Sequence, residues 1–305
     1  MPSLRSRMIY LLLKIQRPSF DPNKSVQQQR VLLEKQVKRV PTPRNVDVQP
    51  IAIGDLSAEW LRPVGVNDDR GVLYLHGGGY TMGSCRTHRA LGARLAIASQ
   101  APVLVIDYRL APEHPFPAAL EDALAAYRWL IDPGRPARPI ALAGDSAGGG
   151  LVIATAIALR DQDDRLPAAI ACMSPWADLA VQGESMVTRA KADPLISRES
   201  SLLHAGLYVA QHDPTSPLIS PVYADLHGLP PLLIQVGDCE VLLSDSVRLA
   251  DRARQVGVDT TLELWDNMWH VWQAYAGYVP EAQQAIDRIG AFISQHLASP
   301  TVTPA

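Results

Sequence analysis

The feature that most constrains this chain is a serine on a glycine-rich turn between an apolar run and a helix-forming stretch. Gly144-Asp145-Ser146-Ala147-Gly148 follow the apolar segment 140–143 and precede a helical pattern over residues 151–160. The small flanking residues permit a tight turn from strand to helix, which exposes the serine hydroxyl at the end of a sheet. Because G-x-S-x-G also arises by chance, a glycine-rich turn with an incidental serine is the alternative.

Apolar strand patterns alternate with helical patterns from Val72 onward. Strands are expected at 72–75, 103–106, 140–143, 169–173, 232–236 and 260–264, and helices at 87–99, 117–131, 151–160, 244–256 and 280–297. Two strand-like segments, 46–53 and 58–62, precede this alternation. The pattern predicts an α/β fold, in which helices cover both faces of a mostly parallel central sheet.

Two segments depart from this alternation. Residues 1–45 read as helices with polar interruptions, and residues 177–225 contain a helical pattern over 197–211 but no apolar strand run. We interpret residues 46–176 and 226–305 as one sheet domain that 177–225 interrupts. The insertion and residues 1–45 together predict a helical cap above the strand ends, where open α/β sheets bind ligands.

The charge and the cysteines exclude several classes of protein. A formal net charge of -3 gives no electrostatic case for nucleic acid binding. Cys85, Cys172 and Cys239 are widely spaced and lack metal-ligand spacing. We therefore expect no metal site at these cysteines, and buried free thiols in a reducing, cytoplasmic compartment.

Residues 8–15 form a short apolar run that Arg5 and Arg7 precede, as in a signal peptide. Lys14 interrupts the run, and no small-x-small cleavage pattern follows it. No stretch reaches the roughly 18 apolar residues of a transmembrane helix, so we expect no stable membrane insertion. A surface or cap helix is the interpretation here, and a membrane-associating helix is the alternative.

A glycine triplet follows the first strand of the alternating region, in His76-Gly77-Gly78-Gly79-Tyr80. Consecutive glycines let the backbone approach a reacting carbonyl closely, and their N–H groups, together with that of Ala147, can form an oxyanion hole. The alternative is a phosphate-binding turn. It is disfavoured because the sequence has neither G-x-G-x-x-G nor G-K-[ST] here.

Serine needs a base and an orienting acid to act as a nucleophile. His270 follows the last strand and fits the chain order serine, acid, histidine, although the chain has eight histidines. Asp238, Glu240 and Asp245 all follow the strand at 232–236, and spacing alone does not separate Asp238 from Glu240. Asp193 falls inside the insertion and is set aside as the acid.

Three motifs occur in order, namely the glycine triplet with His76, the segment 107–113 (DYRLAPE), and residues 144–149 (GDSAGG). Together they resemble the hormone-sensitive-lipase family of bacterial esterases, within the α/β-hydrolase fold, over residues 45–297. The resemblance implies Ser146 as nucleophile and His270 as base, and it implies oxyanion donors at Gly78, Gly79 and Ala147. The family's acid usually opens a D-P-L-x-D stretch, and residues 240–245 (EVLLSD) stand in that place. The implied acid is therefore Glu240, with Asp238 as the alternative.

The resemblance further implies a serine carboxylesterase for short- to medium-chain acyl esters, which acts through an acyl-enzyme without a cofactor. It also implies that residues 1–45 and 177–225 form the cap and that the chain is a homodimer joined through an edge strand. Five side chains are candidates for lining the substrate pocket, and packing between cap and core is an equal alternative for each. They are Tyr80, Trp176, Leu202, Leu207 and Tyr208.

Two other functions fit parts of the sequence. Deacetylation of a small metabolite would use the same serine, base and acid. A non-catalytic small-molecule receptor belongs to a different class, since the plant gibberellin receptors resemble this family but lack the catalytic histidine. His270 stands at the family's position in this chain, which disfavours the receptor.

Overall fold

A central sheet of eight strands organises the protein. A computed structural model describes residues 2–16, 24–37, 40–134 and 138–298. The strands are β1 Val46–Ile53, β2 Leu56–Pro63, β3 Gly71–Leu75, β4 Val103–Ile106, β5 Ile140–Asp145, β6 Ile170–Met173, β7 Leu232–Gly237 and β8 Thr260–Trp265. Their spatial order is β1-β2-β4-β3-β5-β6-β7-β8. β1 and β2 pair antiparallel and β2 is antiparallel to β4, whereas β4 through β8 run parallel.

The helices of the described residues cover both faces of this sheet. They are α1 Leu4–Gln16, α2 Val26–Val37, α3 Cys85–Ser99, α4 Ala118–Ile131, α5 Ala147–Asp161, α6 Ser185–Thr188, α7 Arg198–Val209, α8 Leu243–Gln255 and α9 Pro280–Ala298. Short 3-10 turns occur at Pro221–Tyr223 and Trp272–Tyr275. One apolar core joins the sheet to α4, α5 and α8, and a second joins it to α3 and α9. The predicted α/β fold with a mostly parallel sheet is confirmed.

The central strands are apolar along their whole length because helices pack on both of their faces. Every residue of β3, β4, β5, β6 and β7 is buried. In the parallel register, Leu73 of β3 lies between Leu104 of β4 and Leu142 of β5. This register brings the carboxyl ends of β3, β5 and β6 to one edge of the sheet, at the residues after Leu75, Asp145 and Met173.

Helix α5 begins earlier than its sequence pattern predicted. It starts at Ala147, directly after Ser146, and includes Gly148, Gly149 and Gly150 in its first turn. Glycine is a poor helix former, but close packing overrides this preference here. A Cβ on Gly150 would overlap the carbonyl oxygen of Trp176, so only glycine lets the helix approach that loop.

The two segments outside the alternating pattern lie against each other and against the core. Residues before β1 form α1 and α2, and residues 177–225 contribute α6 and α7. The Tyr10 hydroxyl in α1 donates a 2.7 Å hydrogen bond to the carbonyl of Ala192, which ties the first segment to the second. Among the described residues, none of the helices combines the length and the apolar character needed to cross a membrane.

Candidate active site

Ser146 occupies a strained turn between β5 and α5. Its backbone has φ 54° and ψ -122°, a region that residues with a side chain rarely adopt. The surroundings allow only glycine at two neighbouring positions, because a Cβ on Gly144 would lie 2.5 Å from the carbonyl oxygen of Gly148. A Cβ on Gly148 would overlap the carbonyl oxygen of Leu75. The strained turn is therefore held by close packing between β3, β5 and the start of α5.

His270 and Glu240 complete a hydrogen-bonded chain that begins at this serine. The Nε2 atom of His270 lies 2.9 Å from the Ser146 hydroxyl oxygen, and Nδ1 lies 2.8 Å from Oε2 of Glu240. A carboxylate only accepts hydrogen bonds, so Nδ1 carries the proton and Nε2 is free to accept from the serine hydroxyl. All three side chains are buried. This arrangement can remove a proton from Ser146.

The second oxygen of Glu240 is fixed by two donors. Oε1 accepts a hydrogen bond from the hydroxyl of Ser174 at 2.8 Å and another from the N–H of Gly237 at 2.7 Å. The Ser174 hydroxyl in turn accepts from the N–H of Val271, beside His270, at 3.1 Å. Ser174 therefore joins the acid-bearing loop to the histidine loop. Sequence reasoning missed it, although its place directly after a buried strand was a usable signal.

The other two acids after β7 point elsewhere. Oδ1 of Asp238 accepts from the N–H of Asn267 at 2.6 Å, and its side chain is half-buried. Oδ2 of Asp245 accepts from the N–H groups of Ala177 and Asp178. Of the three carboxylates that the sequence left as alternatives, Glu240 is the one that hydrogen-bonds His270.

Two opposing effects act on the pKa of His270. Burial by itself lowers this pKa, because it penalises the charged imidazolium. The hydrogen bond and the negative charge of Glu240, with the charge of Asp193 adding to them, outweigh burial. The net result is a pKa raised above the ordinary value of 6.5. The site thus stabilises the imidazolium that forms when the histidine accepts a proton.

The glycine triplet after β3 forms the loop that faces the serine turn. Gly78 and Gly79 have φ 122° and 62°, values that favour glycine. Within the described part of the chain, neither of their N–H groups donates to a backbone carbonyl or to a side chain. Gly79 lines the same pocket as Ser146. These donors, and the N–H of Ala147 at the start of α5, are thus available to a negatively charged oxygen beside the serine.

Asp145 holds this loop in place from behind. Its Oδ1 accepts from the hydroxyl of Tyr74 at 2.5 Å and from the N–H of Gly77 at 3.0 Å. Burial opposes ionisation of this carboxyl, but His88 at 3.5 Å and these hydrogen bonds outweigh it and lower the pKa of Asp145. The carboxylate next to the serine therefore braces the glycine loop in its charged form.

His76 packs behind the same loop. Its ring stacks on Tyr108 and His88, with centroids 4.2 and 5.2 Å away. Its Nδ1 lies 2.8 Å from the carbonyl oxygen of Gly77. Burial lowers the pKa of His76 to about 3, so the ring is neutral at neutral pH. His76 is thus positioned to support the loop and not to exchange protons with a substrate.

A narrow pocket with a cavity volume of about 20 Å³ opens at Ser146. It is lined by Gly79, Ser146, Trp176, Ile196, Ser200, Ser201, His204 and Leu242. This volume is far below the roughly 300–1,000 Å³ of typical small-molecule sites, so the pocket is narrow in this structure. Sequence reasoning anticipated Trp176 as a lining residue but missed the five from Ile196 to Leu242. The signal was the helical spacing of Ser200, Ser201 and His204, which places them on one face of α7.

The other predicted lining residues lie outside this pocket. Tyr80 and Tyr208 are buried and stack face to face, with centroids 3.8 Å apart. Leu207 packs against the core that joins α4, α5 and α8 to the sheet. The side chain of Leu202 is 43% exposed and does not line this pocket, so contact between Leu202 and a substrate stays a prediction. Leu202 follows Ser201 by one residue, and the 3.6-residue period of α7 turns it away from the pocket face.

His204 forms the polar part of the pocket wall. Its Nδ1 lies 2.7 Å from the hydroxyl of Thr81, in the turn that follows the glycine triplet. A Cβ on Gly79 would lie 3.2 Å from the His204 ring, so the two residues are in close contact. Burial lowers the pKa of His204 to about 4, and the ring is therefore neutral at neutral pH. The wall of the pocket consequently carries no charge at this point.

Asp193, set aside as the acid, nevertheless lies close to the site. Its Oδ2 accepts from the N–H of Val241, next to Glu240, at 2.8 Å. Its Oδ1 accepts from the N–H groups of Leu195 and Ile196. Burial raises the pKa of Asp193 to about 6. The insertion thus anchors itself on the loop that carries the acid.

Among the described residues, no three or more histidine, cysteine, aspartate or glutamate side chains come together in an arrangement that could hold a metal ion. Cys85, Cys172 and Cys239 are free thiols, and the first two are buried. Burial raises the pKa of the Cys239 thiol to about 11. This thiol is therefore protonated at neutral pH and is a poor nucleophile.

A strained serine, a histidine and a glutamate meet at the carboxyl ends of a parallel sheet, beside a glycine loop. This combination is typical of the α/β-hydrolase fold. Residues 72–274 match a family model described as the alpha/beta hydrolase fold. The chain is similar to an acetyl-hydrolase from Streptomyces hygroscopicus, at 48% identity over 82% of this chain and 84% of the relative. It is also similar to an esterase from Acinetobacter venetianus, at 35% identity over 86% and 87%.

Solved structures give the same result. A crystal structure of an esterase from the bacterial hormone-sensitive lipase family matches at 45% identity and a TM-score of 0.91, over 98% of this chain and 100% of that one. A hormone-sensitive lipase from a metagenome library matches at 39% identity and a TM-score of 0.92, over 96% and 98%. The chain belongs to the hormone-sensitive-lipase family of α/β hydrolases. It is a carboxylic ester hydrolase.

Proposed function

We propose that this chain is a serine carboxylesterase that hydrolyses short- to medium-chain acyl esters through an acyl-enzyme, with Ser146 as nucleophile. The observation that carries the proposal is the hydrogen-bonded chain from Ser146 through His270 to Glu240. A binding protein has no need of a buried imidazole against the hydroxyl of a strained serine. The same chain therefore disfavours the receptor alternative.

In the first half of the reaction, His270 Nε2 takes the proton of the Ser146 hydroxyl while the serine oxygen attacks the ester carbonyl. The carbonyl π electrons move to oxygen, and the N–H groups of Gly78, Gly79 and Ala147 stabilise the resulting oxyanion. Glu240 orients the imidazole and stabilises its charged form, without taking the proton itself. The tetrahedral intermediate then collapses, and His270 protonates the departing alcohol.

In the second half, water takes the place of the alcohol. His270 removes a proton from this water, whose oxygen attacks the acyl carbon. The second tetrahedral intermediate collapses, the bond to Ser146 Oγ breaks, and His270 returns the proton to the serine. The carboxylic acid leaves, and the free enzyme is restored without a metal or a cofactor.

The decisive experiment compares Ser146→Ala with Ser57→Ala, an exposed serine on β2. We expect Ser146→Ala to lose turnover of p-nitrophenyl butyrate, with an unchanged circular dichroism spectrum, while Ser57→Ala keeps full activity. A fluorophosphonate should label the wild type at one equivalent per chain and leave Ser146→Ala unlabelled. Normal turnover by Ser146→Ala would overturn the proposal, and failure of the folded wild type to react with the fluorophosphonate would favour a receptor.

The pocket limits the size of the acyl group in this proposal. We place the acyl chain in the narrow pocket that Gly79, Trp176 and Ile196 help to line, since it opens directly at Ser146. Residues 1–45 and 177–225 act as its cap, and the described parts of both segments contact the glycine loop or the acid loop.

A second candidate is an esterase that removes acetyl groups from a small metabolite. The narrow pocket and the similarity to a protein named acetyl-hydrolase favour it. The two candidates differ in how activity depends on acyl length. A kcat/KM more than tenfold higher for p-nitrophenyl acetate than for the butyrate would support the acetyl-specific enzyme, whereas equal or better butyrate hydrolysis would support the broader carboxylesterase.

The proposal includes a homodimer in a reducing, cytoplasmic compartment. β8 is at the edge of the sheet, and its Leu264 side chain is 55% exposed. The three free thiols fit a reducing compartment. Light scattering after gel filtration should give twice the chain mass, and Leu264→Lys should reduce it to the monomer; a monomeric wild type would contradict this part of the proposal.

A further inference from the structure

Helix α1 carries a row of exposed apolar side chains along its outer surface. Leu4, Met8, Leu11 and Ile15 are spaced by four, three and four residues, so they share one face of the helix. Together with Leu12, which widens the row, their side chains are between 46% and 83% exposed. We call these five residues the α1 stripe. A continuous row of exposed apolar side chains is typical of an interaction surface, whereas single exposed apolar residues are common on any protein.

The opposite face of α1 fixes the helix on the protein. Leu13 is buried in the core that contains α3 and α9, and Ile9 packs against it. Ser6 is also buried. At the start of the helix, the N–H and the hydroxyl of Ser3 both donate to the carboxylate of Glu281. Because α1 is held in this orientation, the stripe faces away from the protein.

Basic residues border the stripe on both sides. On a helical projection, Arg5 falls on one flank of the stripe, and Arg7 and Lys14 fall on the other. The helix has no acidic residue. Arg5 and Lys14 donate to the carbonyl oxygens of Tyr278 and Lys191, and such contacts leave the positive charges in place.

We propose that α1 attaches this protein reversibly to the surface of an anionic lipid bilayer. In this arrangement the α1 stripe lies among the upper acyl chains, and the flanking cations lie at the level of the lipid phosphates. An apolar face between two basic borders is the pattern of helices that lie in the plane of a membrane surface. The helix has thirteen residues, too few to span the bilayer, so the attachment is peripheral.

The charges favour lipid over a second copy of this chain. A symmetric contact through the α1 stripe would bring the basic borders of one helix close to those of the other. With no acidic residue in α1, nothing within the helix pair would compensate this repulsion. The negative charges of an anionic bilayer, in contrast, neutralise the basic residues on both sides of the stripe.

The first experiment measures cosedimentation of the whole 305-residue chain with vesicles. One set is pure phosphatidylcholine, and the other contains about 30 mol % phosphatidylglycerol. We expect the protein to pellet with the anionic vesicles at low salt and to remain in the supernatant with the neutral ones. Binding should fall steeply as salt is raised, since added ions screen the charges.

Two variants separate the apolar and the electrostatic contributions. Leu11→Ser with Ile15→Ser removes two apolar side chains from the C-terminal half of the α1 stripe and should lower the partition coefficient roughly tenfold or more. Arg5→Gln with Arg7→Gln should lower it by a similar factor, at low salt only. Val64→Ser is the matched control, because Val64 is an exposed apolar residue in the turn after β2. That variant should bind as the wild type does.

Hydrolysis of a water-soluble ester is the independent readout. All three variants should keep wild-type turnover, because the changed residues lie on the outer surface of the protein and none of them lines the pocket at Ser146. The lipid proposal is wrong if the wild type does not bind anionic vesicles at low salt. It is also wrong if the stripe variant binds these vesicles with the same partition coefficient as Val64→Ser. A dimer that the stripe variant alone dissociates, without vesicle binding, would instead assign the surface to a second copy. Failure of turnover with intact vesicle binding would count against the proposed function alone.

Discussion

Arg30 of α2 donates a hydrogen bond from Nε to the carbonyl oxygen of Thr81 over 2.7 Å. Thr81 belongs to the turn that the glycine triplet opens, and its own N–H donates to the carbonyl of Gly78. The same guanidinium donates to the carbonyl of Ala111 and pairs with the carboxylate of Glu113. A helix before the sheet therefore holds the loop that faces Ser146.

We expect Arg30→Ala to lower kcat about tenfold with little change in KM, because a looser loop weakens stabilisation of the transition state more than it weakens ester binding. Arg30→Lys should recover part of kcat, since an ammonium reaches one of the two carbonyls. Steady-state kinetics on p-nitrophenyl butyrate measure both constants. Glu113→Gln is the control: it removes the exposed ion pair and leaves the two carbonyl contacts. If Glu113→Gln loses as much kcat as Arg30→Ala, the loop contacts are not the cause.

A second prediction concerns the acid. Glu240→Gln replaces a charged acceptor by a neutral amide that cannot stabilise the imidazolium, so we expect kcat to fall about a thousandfold. Asp238→Asn should leave kcat near the wild-type value, because Asp238 binds the N–H of Asn267 and not the imidazole. Purified variants with matching melting temperatures are compared on the same ester. The opposite ranking would assign the acid to Asp238.

Much of this site could be predicted from the sequence, because it consists of residues that follow apolar strands directly. Ser146 follows β5 and the glycine triplet follows β3 within a few residues, so local pattern and fold class together locate them. Glu240 and His270 follow β7 and β8 in the same way. Parallel strands bring all their carboxyl ends to one edge of the sheet. The loops that follow are short, so the positions of these residues relative to one another vary little.

The part of the pocket wall that α7 supplies could not be predicted in this way, because α7 lies far from any strand end in the sequence. Which face of α7 points inward depends on how the insertion docks, and one contact that fixes this docking is made by Asp193 on Val241. Apolar character alone does not identify which residues of α7 line the pocket. The wall includes Ser200, Ser201 and His204, while Leu202 faces solvent.

The pKa of His270 gives a third prediction. The reaction needs the neutral imidazole as a base, and Glu240 raises the pKa of His270 above 6.5. Activity should therefore be full at alkaline pH and fall as pH drops through this raised pKa. Glu240→Gln removes the main cause of the rise, so its acidic limb should move to lower pH. The profile of kcat/KM between about pH 5 and 9 measures both; a flat wild-type profile, or a limb that Glu240→Gln leaves in place, would contradict this account.

The last prediction concerns acyl length. Ile196 lines the pocket at Ser146 and lies outside the hydrogen-bonded chain from serine to glutamate, so Ile196→Ala should lengthen the space without disturbing the chemistry. We expect kcat/KM for p-nitrophenyl hexanoate, relative to acetate, to rise roughly tenfold, which corresponds to room for one or two additional methylene groups.

Leu202→Ala is the matched control on α7, because it removes an aliphatic side chain that faces solvent. The kcat/KM of this variant for p-nitrophenyl hexanoate, relative to acetate, should equal that of the wild type. A parallel series of alkyl acetates distinguishes the two halves of the ester. If Ile196→Ala changes the preference among alcohols and leaves the acyl ratio unchanged, the pocket beneath α7 holds the alcohol, and the acyl chain must lie on the other side of Ser146.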